Sequence, residues 1–148
     1  MNLTDELKQY REMLEAKTDP ELIEKEKNET YGQECILDVH GVPDDFFRDK
    51  KVRHFAEKLC EEIGMTRGPI YLWGNDKSLG TMHDPKADGI SVCQFLHSSS
   101  ITIHSIDEFN KVFINVFSCK NFDIEKVRKF TEENVGGTIV SLHNIKRK

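Results

Sequence analysis

Three consecutive serines, Ser98, Ser99 and Ser100, stand between two apolar, β-branched runs, 90–96 and 101–103, with His97 before them and His104 after. Cys119 follows fifteen residues beyond His104. A hydroxyl in a tight turn, an imidazole at the end of the next strand and a thiol beyond it are groups from which nucleophilic chemistry is assembled. Period-two alternation puts Ser100, Thr102 and His104 on one face of the first strand, and Phe113, Asn115, Phe117 and Cys119 on one face of the next. With a hairpin through 106–110, His104 and Cys119 fall at different heights. Alternation alone does not bring them together, and a lone strand histidine is ordinarily a hydrogen-bonded structural residue.

The elements that must position these groups are legible from hydrophobic periodicity. Residues 1–30 are highly charged. They predict a first helix capped by Thr4, with Leu7, Tyr10, Met13 and Leu14 on one face, and a second starting at Asp19-Pro20-Glu21 with proline in its first turn. Apolar content is thin there, as expected of a solvated extension or an arm on a partner subunit. Tyr31-Gly32 breaks the region, and 35–39 alternates as a strand. The spacing of Val52, Phe55, Ala56, Leu59, Cys60 and Ile63 predicts a helix over 49–64, ended by Gly64. Strands are expected at 70–73, at 90–96 (apolar on both faces, hence central), at 101–106 and at 112–119. A loop over 79–89 separates the first two. A helix over 123–133 buries Ile124, Val127 and Phe130, Gly136-Gly137 ends it, and 138–142 is a last strand before a solvated basic tail, Lys146-Arg147-Lys148. This order predicts an α+β fold, a two-layer sandwich of a mostly antiparallel sheet with helices on one face, plus the N-terminal helical arm.

Bulk properties exclude several classes. The chain has 148 residues, enough for one domain with its own core. A net charge of −5 without a basic patch argues against nucleic acid as a partner. No apolar run approaches the length of a membrane span, and the N-terminus lacks the basic and apolar regions of a signal peptide. Cys35, Cys60, Cys93 and Cys119 fit neither a paired metal motif nor a dense disulfide framework, so a cytosolic protein with reduced thiols is expected. Cys35, Cys60 and Cys93 fall at apolar positions, where cysteine acts as a small hydrophobe. The six histidines, His40, His54, His83, His97, His104 and His143, match no metal-ligand spacing. There is no glycine-rich phosphate loop between a strand and a helix.

The segment Gly89-Ile90-Ser91, then Ser99-Ser100-Ile101-Thr102-Ile103-His104, then Glu108, then Phe117-Ser118-Cys119 resembles the short prokaryotic type of pyruvoyl-dependent S-adenosylmethionine decarboxylase. That family's pattern runs G-V-S-G, then E-S-H-L-T-I-H-T-W-P-E, then a strand ending F-T-C-G. The intervals agree without gaps: eight residues from Ser91 to Ser99, five to His104, fifteen to Cys119. The likeness is specific over 81–123, weaker over 32–145, and leaves out the arm. It divides the chain into a charged helical extension, 1–30, and a decarboxylase domain, 31–148, self-cleaved between Ser98 and Ser99.

The resemblance implies a mechanism. Ser99 attacks the carbonyl of Ser98, the resulting ester undergoes β-elimination, and residue 99 becomes a pyruvoyl cofactor at a new N-terminus. His104 assists proton loss during processing and Ser91 is a hydrogen-bonding helper. The pyruvoyl ketone forms a Schiff base with the substrate amine and draws electrons from the breaking carboxylate bond. Cys119 is then the acid that protonates the substrate carbon, since a thiol holds its proton at neutral pH. Glu108 matches a carboxylate that binds substrate through ribose hydroxyls. The product feeds spermidine and other polyamine synthesis, and the enzyme is expected to be a homodimer of cleaved protomers with its sites near the subunit interface.

Three departures bear on the substrate. Ser98 stands where the family has Glu. Ser105-Ile106-Asp107-Glu108 replaces T-W-P-E, so a tryptophan becomes Ile106. His83-Asp84-Pro85 replaces an H-x-F segment, so an aromatic becomes Pro85. Adenine rings are commonly held by stacking, and Phe95 and Phe109 are the aromatics considered as replacements. Two alternatives stay open: a pyruvoyl-dependent decarboxylase of ornithine or arginine, and a non-processing regulatory homologue.

Overall fold

The computed structural model describes residues 4, 5, 7–9, 11, 12, 20–27, 29–74, 86 and 88–148. Six strands are formed: β1 (Gly32–His40), β2 (Arg67–Gly74), β3 (Ile90–Leu96), β4 (Ser99–Ile106), β5 (Lys111–Ser118) and β6 (Thr138–Arg147). The helices are α1 (Pro20–Lys27), α2 (Asp49–Glu62) and α3 (Ile124–Val135). Residues 4, 5, 7–9, 11 and 12 are also helical. The strands make one sheet, in the order β2-β3-β4-β5-β1-β6, with every neighbouring pair antiparallel. The α+β two-layer prediction holds.

Burial explains the layering. Odd positions of β1 and β4 and even positions of β3 and β5 point one way. Cys35, Leu37, Val39, Val92, Ile101, Ile103, Val112, Ile114 and Val116 are all buried there. The helix α2 lays the expected stripe, Val52, Phe55, Ala56, Leu59, Cys60 and Ile63, onto that face. Gly64 closes it at φ +67, with its N–H bonding to the carbonyl of Glu61 and that of Met65 to the carbonyl of Cys60. This is the double bond that lets a left-handed residue end a helix, and glycine takes that conformation without a Cβ penalty. The helix α3 packs alongside. Asp123 Oδ1 accepts the N–H of Glu125 at 2.9 Å, and the Phe130 ring stacks on Phe55 at 5.7 Å.

Among the described residues no layer covers the other face of the sheet. Ile36, Cys93, Thr102, Ile106, Phe113 and Phe117 lie half-buried along it, and Tyr71, Trp73, Phe95 and His104 are exposed. Thus β3, expected to be buried on both sides, is buried on one. Three further positions differ. The serine turn is shifted, because His97 and Ser98 make it and Ser99 already pairs with Leu96 in β4. The last strand runs five residues past the expected 142. Its tail is bonded rather than free in solvent, with Lys146 Nζ donating to Asn121 Oδ1 and Arg147 ion-paired with Glu34. Of the stripe expected on the first helix only Leu7 is described, and it is exposed. Most of the loop expected over 79–89, with the segment from His83 to Pro85, lies outside the described residues.

The buried stripe of α2 carries the two-layer packing. Truncating the fully buried Leu59 to Ala should cost about 2–5 kcal/mol in urea unfolding. The exposed Lys58→Ala should stay within about 0.5 kcal/mol of the parent.

Candidate active site

The turn between β3 and β4 is pinned by the N–H of His97, which bonds to the Thr66 carbonyl at 3.1 Å. Ser98 then takes φ +52, one of two non-glycine residues with positive φ among the described residues. A side chain there crowds the following carbonyl, at roughly 1–2 kcal/mol. Ser99 is buried, and its Oγ accepts the backbone N–H of Cys119 at 2.9 Å. The Cys119 Sγ points at the carbonyl of His97 at 3.8 Å. The serine turn and the cysteine, twenty residues apart in sequence, therefore meet at one end of the sheet.

Cys119 lies one residue past the end of the strand that carries Phe113, Asn115 and Phe117, where alternation placed it within that strand. The strand β5 ends at Ser118, whose Oγ donates to the Lys120 carbonyl at 2.6 Å and accepts the Lys120 N–H at 3.1 Å. That small loop turns the backbone of Cys119 toward Ser99. Gly32 makes room for it: a Cβ there would stand 2.0 Å from the Ser118 carbonyl oxygen and 3.0 Å from the Cys119 carbonyl carbon. Beside it the buried Gln33 accepts the Phe122 N–H at 3.2 Å and donates to Asn144 Oδ1 at 2.8 Å. Gly32 and Gln33 thus position Cys119. In the sequence Gly32 reads only as a helix breaker, and nothing marks Gln33.

At the opposite end of the same strands, on the uncovered face, Ser91 Oγ and His104 Nδ1 share a hydrogen bond of 3.0 Å. The pair is a direct consequence of register, since Ser91 stands opposite His104. Glu108 sits exposed in the helical turn Asp107–Phe109 just beyond β4. Ser105 ties that turn to β3, accepting the Ile90 N–H at 2.8 Å and donating to Asp107 Oδ1 at 2.8 Å. His104 and Ser99 are separated by five residues of extended chain, about 17 Å, so within one chain they do not meet.

Cys35 and Cys60 are separated from this chemistry by burial. Desolvation pushes Cys35 up to about 12, and it raises Cys60 against an opposing pull from Arg67. Cys60 Sγ donates to the Met65 carbonyl at 3.0 Å. Among the described residues no group of three or more His, Cys, Asp or Glu side chains is placed to hold a metal ion. No helix among them is long and apolar enough to cross a membrane.

A one-sided antiparallel sheet with a strained serine turn against a cysteine, and a serine–histidine pair on the same strands, has the parts of an enzyme. The sequence pattern of S-adenosylmethionine decarboxylase matches residues 33–148, so the chain belongs to that family and to the carboxy-lyases. The match starts just beyond the charged extension. No curated protein sequence matches. Among solved structures, the adenosylmethionine decarboxylase from Aquifex aeolicus superimposes with a TM-score of 0.64 at 18% identity, over 80% of this chain and 92% of that one.

Alkylation of the folded protein should modify the partly exposed Cys93 and Cys119 well before Cys35 and Cys60, as peptide mass mapping would read out. Gly32→Ala should lower stability by about 1–3 kcal/mol and speed labelling at Cys119 alone.

Proposed function

We propose that this chain is a self-processing decarboxylase that makes its pyruvoyl group from Ser99, acts on S-adenosylmethionine and supplies spermidine and polyamine synthesis. The observation that carries the reading is the serine turn. Ser98, which bears the carbonyl to be attacked, is held at φ +52, and the neighbouring hydroxyl is fixed by the Cys119 N–H at 2.9 Å. Backbone strain of this kind is characteristic of sites where it is used. The boundaries that go with this reading are an extension over 1–30 and a decarboxylase domain over 31–148.

Processing uses the chain's own groups. Ser99 Oγ adds to the Ser98 carbonyl carbon, the peptide C–N bond breaks, and the amide becomes an ester with a free amino group at 99. Loss of the Cα proton of residue 99 expels the Ser98 carboxylate, freeing fragment 1–98 and leaving dehydroalanine. Water then replaces nitrogen in its imine tautomer and ammonia departs. The resulting pyruvoyl ketone, when present, is an electron sink for decarboxylation of an amine substrate. The Ser99 turn and its neighbouring thiol fit such a group. Cys119 delivers the proton to the substrate carbon, His104 oriented by Ser91 moves protons during processing, and Glu108 accepts hydrogen bonds from ribose hydroxyls.

The separation of His104 from Ser99 within one chain supports a homodimer. The imidazole lies about 17 Å along β4 from the hydroxyl it must serve, and a second copy packed on the uncovered face supplies it from the other chain. The apolar residues of that face, Ile36, Phe113, Phe117 and Ile145 among them, suit such a partner. Isologous pairing through one face gives two equivalent composite sites. The replacement at Ile106 favours a second reading in which the substrate is ornithine or arginine. Turnover of the three substrates compared side by side separates them.

Denaturing mass spectrometry should find fragments 1–98 and 99–148, the latter blocked at its N-terminus, whereas Ser99→Ala should remain whole. An intact chain in an active preparation refutes the mechanism. Cys119→Ala should still be cut while its turnover falls by at least about a hundredfold. Co-expressed His104→Ala and Cys119→Ala chains, each inactive alone, should recover about a quarter of wild-type turnover through the one intact site of each mixed dimer. No recovery in verified mixed dimers would mean that each site is built from one chain.

A further inference from the structure

We infer that Trp73 is the aromatic wall against which the purine of the substrate stacks, taking over from the rings lost at Ile106 and Pro85. The inference rests on the reading that the substrate is S-adenosylmethionine. Trp73 is the chain's single tryptophan and, at 77% exposure, the most exposed large hydrophobic side chain among the described residues. The core does not use it, since Ile70 and Leu72 are the β2 residues packed against the core.

Its place is set by register. Trp73 stands opposite Ser91, Ser91 opposite His104, and His104 opposite Phe113. Residues directly opposite in antiparallel strands share a face. The indole therefore belongs to the uncovered face, in the same row as the serine–histidine pair. Strands are spaced about 4.8 Å apart, so its backbone is about 10 Å from that of His104, within the span of an adenosyl group. Glu108, the carboxylate assigned to the ribose, is at this end of the sheet as well. The buried Gln94 fixes the register by donating to the carbonyls of Gly68 at 2.9 Å and Pro69 at 3.2 Å, where β2 bulges between Arg67 and Ile70. Beyond that bulge the pairing runs regularly to Trp73.

The competing rings are less well placed. Phe95 stands opposite Ser100, at the serine-turn end of β4, and meets Tyr71 edge to face at 6.2 Å. Phe109 has the Lys111 ammonium over its ring at 5.9 Å. Among the described residues no ring or cation packs on Trp73, and indole is the strongest stacking and cation-binding side chain, which suits a substrate carrying both a purine and a sulfonium.

The lone tryptophan also reports on the test. In the processed wild-type protein, S-adenosylmethionine and the unreactive 5′-methylthioadenosine should each quench its emission saturably. Trp73→Ala should raise KM for S-adenosylmethionine about tenfold or more with a smaller change in kcat, and Trp73→Phe should recover most of the loss. Both variants should still be cut at Ser99, which checks that they fold. Turnover of S-adenosylmethionine with unquenched emission and an unchanged KM in Trp73→Ala overturns this inference alone. A wild-type protein that cuts itself yet does not turn over S-adenosylmethionine overturns the substrate reading and the inference together.

Discussion

The register of β4 between β3 and β5 is the constraint on which the rest of the structure depends. Six consecutive residues pair with β3, from Ser99 opposite Leu96 to His104 opposite Ser91, and seven pair with β5. A slip by one residue would turn every side chain of the strand to the other face. It would put Ile101 and Ile103 into solvent, separate Ser91 from His104 and carry Ser99 away from Cys119. The reactive groups are thus held by the same alternation that buries the two isoleucines. Loss of core burial is what penalises the wrong register, and the chemistry inherits that specificity.

The second constraint is asymmetry. Helices cover one face of the sheet and leave the other with half-exposed rings and aliphatic side chains. Within one chain, the hydroxyl at 99 and the imidazole at 104 stand at opposite ends of the β3–β4 pairing. The apolar character of the bare face and the separation of these two groups are two expressions of the same alternation.

Much of this was legible in the sequence, for reasons that can be stated residue by residue. Period-two alternation at 35–39, 101–106 and 112–118 and the single stripe of 49–63 determined both layers, because burial on one side writes itself directly into residue type. The Ser91–His104 pair was not predicted as a contact, yet it follows from a two-residue turn at His97-Ser98, and misplacing that turn at the serine triplet concealed it. The meeting of Cys119 with Ser99 was illegible: it depends on a backbone N–H, on a loop closed by Ser118 and on the absence of a side chain at Gly32. None of these has a periodic signature. The tail of β6 read as solvated because its lysine and arginine are charged, but their partners, Asn121 and Glu34, are distant in sequence and visible only once β6 lies beside β1.

Sheet order has a consequence for molecularity. The segments on either side of the Ser98–Ser99 bond do not form separate halves: β1, β2 and β3 precede it, while β4, β5 and β6 follow it. Three of the five seams in the order β2-β3-β4-β5-β1-β6, namely β3 to β4, β5 to β1 and β1 to β6, join one segment to the other. A chain cut at this bond keeps its shape, because the severed pieces interleave. Its unfolding nonetheless releases one more molecule per chain than an uncut chain does, so its midpoint depends more steeply on protein concentration. An uncut chain is held by its own backbone, whereas a cut one would be held together by these seams alone.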